Sequence, residues 1–322
     1  MRVVVVGIGA VGGTIAAALS LAGVEVAGIA RGAQLAAIRA NGLHLRTPDG
    51  AHFAHFPCYA DPAEAGLRPD DLVVLTVKSQ DSAAALAQLR AAGMTDQPLF
   101  CAQNGVANEA LAARVLPNVH GMTVMLPADY TTPGEVITYG GPRWGIFDLG
   151  RWPSGTDQAD AALAEALNRA NFAAFPSGEV MQSKYGKLLL NLHNIVDAAI
   201  GRGALFKKIQ PLLTAEGEAV LRAAGIAWQD VGIDDPRRES LMRFAKVTGA
   251  NRAGSSTLQS FARGAGSVET DFLNGEIVML GAQHGVPTPV NGWFCRLADR
   301  MLREGIAPGA IDPTEVERAL GL

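Results

Sequence analysis

The chain has 322 residues, 48% hydrophobic and 18% charged, enough for two ordinary domains each with its own core. A net charge of −4 gives no basic footprint, so nucleic acid is not an expected partner. Three widely spaced cysteines (Cys58, Cys101, Cys295), with no Cys-x-x-Cys, suit a reducing cytoplasmic setting and exclude a disulfide framework or a zinc site.

Arg2-Val-Val-Val-Val-Gly7 is a β-branched run of strand type. It breaks into Gly7-Ile-Gly9-Ala-Val-Gly12-Gly13 and then into an Ala/Leu-rich helix candidate, Thr14–Ala22. Strand, glycine turn and helix form the context in which Gly-x-Gly-x-x-Gly binds a dinucleotide. Gly7 serves the tight turn, Gly9 the close approach of a pyrophosphate, and Gly12 the packing of helix on strand. The helix start, with Ala10 and Val11, offers unpaired N–H groups and a positive dipole end to phosphates. A second strand, Val24 to Ala30, ends on Arg31. An Asp or Glu there would bind a ribose 2′-hydroxyl, whereas an Arg suits a 2′-phosphate, so the cofactor is read as NADP(H). The lack of charge between Arg2 and Glu25 also fits a signal or membrane segment. Four glycines crowded into positions 7 to 13 weigh against it, and no membrane partner is expected.

Gly32–Ala40 is a helix candidate closed by Asn41-Gly42. Leu43–Arg46 and Ala51–Phe56 alternate around Pro48-Asp49-Gly50, a hairpin pattern. His52 and His55 lie there without Cys, Asp or Glu at ligand spacing, so no metal is expected. Leu72–Val77 is a continuous apolar run, as in a parallel strand buried on both faces, and it ends at Lys78. Ser79–Ala91 reads as a helix, and Pro98–Ala102 as a strand ending at Gln103-Asn104-Gly105. Lys78 and Asn104 thus stand just beyond carboxyl ends of candidate sheet strands, where open α/β sheets bind ligands. Singly, one would be a solvated lysine and the other a turn former. From His120 to Trp152 antiparallel strands are expected, then a helix at Ala159–Ala170 and a strand at Phe172–Phe175. Pro176-Ser177-Gly178 marks the boundary between a Rossmann-type domain, 1–177, and a helical domain, 178–322.

Glu179–Ile200 opens the second domain as one long helical stretch. Lys187, Asn191 and Asn194 share a face of it, while Leu188, Leu189, Leu192, Ile195 and Val196 take other directions. Polar groups in so apolar a helix need partners, and an oxyacid substrate would supply them. Lys184, near the helix start, is expected to meet solvent. Pro211–Ala224 and Arg237–Val247 are helix candidates, Asn251–Ser267 a loop, and Glu269–His284 a helix stopped by Gly285-Val-Pro287-Thr-Pro289. Asp312, Pro313 and Glu315 start a last helix.

With these residues in place, the chain resembles the ketopantoate reductase family, the 2-dehydropantoate 2-reductases, from Met1 to about Arg300. The resemblance rests on Gly7-x-Gly9-x-x-Gly12, Arg31, Val77-Lys78, Gln103-Asn104-Gly105 and Lys187-Leu188-x-x-Asn191. Further on it rests on Ser255-Ser256-x-Leu258-Gln259, Glu269-x-Asp271-x-x-Asn274-Gly275 and His284-Gly285-Val286-Pro287-Thr288-Pro289. It implies an α/β protein with an N-terminal Rossmann domain, an all-helical C-terminal domain and an active site in the cleft between. It implies NADPH-dependent reduction of ketopantoate to pantoate in pantothenate synthesis, with Lys187 as catalytic lysine and Glu269 as active-site glutamate. Asn104, Asn191 and Ser256 match residues that hold the substrate, and Lys78, with Asn104, lies on the cofactor side. The family's second asparagine is here Ile195, and Asn194 is expected to substitute for it. The loop from Ser256 to Glu269 is one residue longer than usual, and Val268 replaces a common threonine. The expected partner is a small 2-oxo acid, and a homodimer is a compatible assembly. A reductase of another 2-oxo acid and a non-catalytic NADP(H)-binding regulator are the alternative readings. Retention of Lys187 and Glu269 argues against the last.

Overall fold

The computed structural model describes residues 1–232 and 234–322. The first strand, β1 (Arg2–Val6), sends alternate valines to opposite faces of a sheet. Val3 and Val5 meet Ile15 and Leu19 of α1 (Ala10–Leu21) in one core, while Val4 and Val6 meet Val73, Leu75, Leu86 and Leu89 in the other. Burial on both faces is why the strand is an unbroken β-branched run.

The chain continues through β2 (Glu25–Ile29), α2 (Gly32–Asn41), the hairpin β3 (Leu43–Thr47) and β4 (Gly50–Ala54), β5 (Cys58–Tyr59) and α3 (Pro62–Ala65). Next come β6 (Asp71–Leu75), α4 (Ser82–Ala91), β7 (Leu99–Cys101) and α5 (Ala107–Ala113). Then follow β8 (Val119–Met125), β9 (Ala128–Asp129), β10 (Glu135–Thr138), β11 (Gly140–Pro142), β12 (Ile146–Arg151), α6 (Gln158–Arg169) and β13 (Ala173–Pro176). Eight strands form the main sheet in the order β13-β12-β8-β7-β6-β1-β2-β5. Every neighbouring pair in it is parallel except β12 with β8. A second sheet has the order β4-β3-β10-β9. The 120–152 stretch is therefore not simply antiparallel: β8 runs parallel to β7 and β10 parallel to β3. α5 lies in the connection between β7 and β8, as a parallel crossover requires.

The later elements are α7 (Val180–Asn191), α8 (Asn194–Ile200), α9 (Ala204–Ala223), α10 (Pro236–Leu241), β14 (Met242–Phe244), α11 (Ser256–Ala262), α12 (Asn274–His284), α13 (Pro289–Glu304) and α14 (Pro313–Leu320). The single helix expected over 179–200 is broken at Leu192-His193. The carbonyl of Leu192 accepts a hydrogen bond from Asn274 Nδ2 at 3.1 Å, a partner outside its own helix. Pro211 lies inside α9 instead of starting it. The loss of one helical donor is tolerated because Ile209, Leu213, Val220 and Leu221 bury the helix face completely. The helix expected over 237–247 stops at Leu241, and β14 pairs antiparallel with β11. The expected loop 251–267 contains α11, whose first turn is capped by the Ser255 side chain accepting from the Leu258 N–H.

The chain forms two compact units. One comprises Met1–Gln103, Asn108–Lys184 and a returning segment that ends at Arg252; the other comprises Asn104–Ala107, Tyr185–Gly232 and Ala253–Leu322. The division by contacts falls inside α7, between Lys184 and Tyr185. The returning segment stays with the first unit because β14 extends β11 and Arg237 holds Asp148 through two contacts of 2.6 and 3.2 Å. No described helix is long and apolar enough to cross a membrane.

Candidate functional site

In the first unit the glycine turn between β1 and α1 is over-determined. Gly7 has a φ of +103°, and its N–H donates to the Ile29 carbonyl at 2.9 Å. A Cβ on Gly12 would stand 2.1 Å from the Gly7 carbonyl oxygen and 2.3 Å from Thr76 Oγ1, so no side chain fits. Thr76 Oγ1 bridges to the carbonyls of Val6 and Gly7 at 3.0 and 2.6 Å. Buried Gln34 donates to the Ile8 carbonyl at 2.9 Å and accepts from the Gly134 N–H at 2.7 Å. Gly9 differs from these two glycines, since a Cβ there would meet nothing within 4 Å. Helix α1 begins at Ala10 and Val11 with no side-chain cap and no acidic residue in its first turn. An open glycine before an uncapped helix start fits the phosphates of a dinucleotide, with the N–H groups of Ala10 and Val11 as donors. Arg31 follows β2, is exposed, and does not use its side chain to cap α2. Those donors and that cation are the residues present that would hold a dinucleotide.

At the carboxyl ends of β6 and β7, Lys78 is half-buried and precedes a tight turn, Ser79–Asp81. The residues on either side of it are held by a buried network. Gln103 Nε2 donates to the Val77 carbonyl at 3.0 Å and to Ser82 Oγ at 2.7 Å. Ser82 Oγ donates to Asn108 Oδ1 at 2.7 Å, and Asn108 Nδ2 to Ser79 Oγ at 3.1 Å.

Lys184 is where the sequence expectation fails. It is not solvated: it is 2% exposed, and its Nζ donates to the carbonyls of Cys101 and Gln103, both at 3.1 Å. It also pairs with the carboxylate of Glu109, which is fully buried. Burial raises the Glu109 carboxyl above its ordinary range, and Lys184 acts against that rise. Burial also drives the neighbouring Cys101 thiol well above its usual value, so it is an inert packing group.

In the second unit Lys187 is half-buried on α7. Asn191, the last residue of that helix, is 5% exposed, and among the described residues its Nδ2 has no hydrogen-bond partner. After the break, Asn194 opens α8 and its Nδ2 lies 3.5 Å from Ser256 Oγ. Ser255 Oγ donates to the Asn194 carbonyl at 3.1 Å, and the Ser255 N–H donates to buried Asp197 at 2.8 Å. The structure therefore brings Asn194 and Ser256 together, by way of the break and not by an unbroken helical stripe. Ile195 is 1% exposed, within the helical core. Glu269 is buried and begins a short 3₁₀ turn, Glu269–Phe272. Gly105, with φ +81°, passes so close to that turn that a Cβ would stand 2.9 Å from the Phe272 carbonyl oxygen. The segment carrying half-buried Asn104 is thereby set against the turn carrying Glu269. Asn274 is structural: besides Leu192 it donates to Asn291 Oδ1 at 3.0 Å.

Sequence reasoning missed Gln34, Thr76, Ser82, Asn108 and Glu109, whose side chains hold the turn after β1 and the segments after β6 and β7. Only Gln103 lay within a quoted motif, because side chains that bond distant backbone leave no periodic signal.

The sequence matches the family profile Ketopantoate reductase PanE/ApbA over residues 3–154 and Ketopantoate reductase PanE/ApbA C terminal over 179–301. It is similar to the 2-dehydropantoate 2-reductase of Archaeoglobus fulgidus, 28% identical over 292 residues that cover 90% of this chain and 94% of that protein. Among solved structures it resembles a PanE/ApbA family ketopantoate reductase from Ralstonia eutropha JMP134. The TM-score is 0.79 at 29% identity, covering 95% of this chain and 99% of the other. D-mandelate dehydrogenase with NADH and anilino(oxo)acetate shares the fold, with a TM-score of 0.77 at 21% identity over 95% of this chain and 99% of that one.

Proposed function

Because the chain belongs to the ketopantoate reductase family, and is by that membership an oxidoreductase, we propose that it reduces the C2 carbonyl of ketopantoate to pantoate with NADPH. One observation carries the reading furthest: buried Asn191, one helical turn from Lys187, has an Nδ2 without a protein acceptor among the described residues. Leaving such a donor unsatisfied costs about 1–3 kcal/mol, and an oxygen of a 2-oxo acid would satisfy it. When bound, the dinucleotide supplies the hydride. Lys187 holds its ammonium at the carbonyl oxygen and delivers a proton there as negative charge develops, which is binding gained in the transition state. Asn104 and Asn191 hold the carboxylate, while Asn194, Ser256 and Glu269 orient the substrate hydroxyl. Consumption of NADPH by the purified protein with ketopantoate tests the reading, and its absence would refute it.

Arg31 supports NADPH over NADH. One charge-assisted contact to the 2′-phosphate is worth roughly 1.5–3 kcal/mol, or about one to two orders of magnitude in affinity. Arg31→Ala should weaken NADPH binding by that factor and leave NADH binding unchanged. Equal affinity of the wild type for both cofactors defeats the assignment. A second reading, reduction of a different 2-oxo acid, is favoured by Ile195, an apolar core residue where the family resemblance calls for an amide. A panel of 2-oxo acids decides between the two, by whether ketopantoate or another member has the highest kcat/KM.

A further inference from the structure

Lys184 and Glu109 form a buried pair that the proposed reaction does not use. Its geometry shows more than charge neutralisation. The β7 ladder ends at Cys101, whose register partners are Leu75 on one side and Gly121 on the other. Beyond that point the Lys184 ammonium takes over, bonding the Cys101 and Gln103 carbonyls at 3.1 Å each. The Glu109 carboxylate lies against the same ammonium as its ion-pair partner. Gln103 then extends the anchor, since its side chain bonds the Val77 carbonyl next to Lys78. On the other side, Lys184 lies three residues before Lys187 in the same helix, α7. Gly121 in β8 lies beside the lysine stem: a Cβ there would stand 3.4 Å from Lys184 Cδ. One buried ammonium thus holds the Cys101 and Gln103 carbonyls, and through the Gln103 side chain the segment before Lys78.

We propose that Lys184, charge-balanced by Glu109, is a positioning residue that sets the Gln103-Asn104 backbone for substrate. The pair acts through its hydrogen bonds to two carbonyls, and Glu109 serves to keep the ammonium charged inside the protein. Apolar residues of similar volume often replace a buried ion pair at little cost in stability, so the double replacement can fold while losing the bonds to the two carbonyls. That separates positioning from folding. The part concerning substrate rests on the functional reading above; the part concerning the backbone does not.

The test is the double variant Lys184→Met/Glu109→Leu in the full chain, checked for a wild-type thermal midpoint. Backbone amide exchange over residues 102–106 should accelerate at least tenfold, while exchange in α12 stays as in the wild type. KM for the 2-oxo acid should rise at least tenfold with the NADPH dissociation constant within twofold. Glu109→Gln leaves the buried ammonium without its counter-charge, so its exchange at 102–106 and its KM should rise in the same direction as in the double variant; wild-type values for both would overturn the charge-balancing role of Glu109. A folded double variant with unchanged exchange at 102–106 overturns the tie. Faster exchange with unchanged KM overturns its bearing on substrate. Should that variant not fold, Lys184→Gln/Glu109→Gln keeps a neutral polar pair too short to hold both carbonyls, and the same readouts decide. A wild type that reduces no 2-oxo acid refutes the proposed function alone, and amide exchange still decides for or against the tie.

Discussion

Gly9 and Gly12 stand three residues apart in one turn, yet alanine should do opposite things to them. A methyl at Gly12 would sit 2.1 Å from the Gly7 carbonyl oxygen and 2.3 Å from Thr76 Oγ1. Ordinary contact demands that α1 withdraw by about 1 Å, and a close-packed interior has no slack for it. Overpacking of this kind costs about 1–3 kcal/mol, or a fall in melting temperature of roughly 1.5–5 °C for a chain of this size. The shift also breaks the Thr76 bridge, so cofactor binding falls as well. A methyl at Gly9 meets nothing within 4 Å and the residue has a φ of −96°, so the apoprotein should melt as the wild type does. That methyl occupies the space above the helix start, and loss of one charge-assisted bond to a phosphate there should weaken NADPH about ten- to a hundredfold. Circular-dichroism melts of the apoproteins and fluorescence titration with NADPH measure both arms. Wild-type NADPH affinity in Gly9→Ala, or equal loss of apoprotein stability in the two variants, would refute the placement of phosphate over this turn.

Lys187→Ala should lose about 10²- to 10⁴-fold in kcat while keeping its melting point and NADPH affinity. Lys184→Ala should instead lose about 3–5 kcal/mol of stability in urea unfolding, because it strands the buried Glu109 carboxylate. A stable Lys184→Ala protein would contradict that pairing. Burial, reinforced by Arg202, holds the His193 imidazole down from 6.5 to about 4. The unfolded chain therefore takes up the proton first, so this contribution is complete above pH 6.5 and is lost as pH falls toward 4. Between pH 7.5 and 5 the wild type should lose about 2 kcal/mol more than His193→Gln in urea unfolding, because each tenfold difference in proton affinity between the folded and unfolded chain is worth about 1.4 kcal/mol. Equal losses would show that the ring already takes up a proton in the folded protein.

The glycine turn and its strand were legible because their causes are local. Consecutive valines in β1 report burial on both faces of a sheet, and Gly7 and Gly12 report a φ and a gap that only glycine accepts. The start of α14 was legible for the same reason, since Asp312 caps the Thr314 N–H two residues on. Lys184 was not, because helical spacing names the residues that share a face and cannot say what packs against it. Its partners Cys101 and Gln103 lie 83 and 81 residues away in sequence. The break between α7 and α8 was hidden likewise, as it answers to Asn274, 82 residues from Leu192. The segment ending at Arg252 has a helix-like pattern to Val247, but pairing with β11 converts part of it to strand. Propensity differences of under about 1 kcal/mol per residue yield to such long-range hydrogen bonds and burial, which only the assembled tertiary structure supplies.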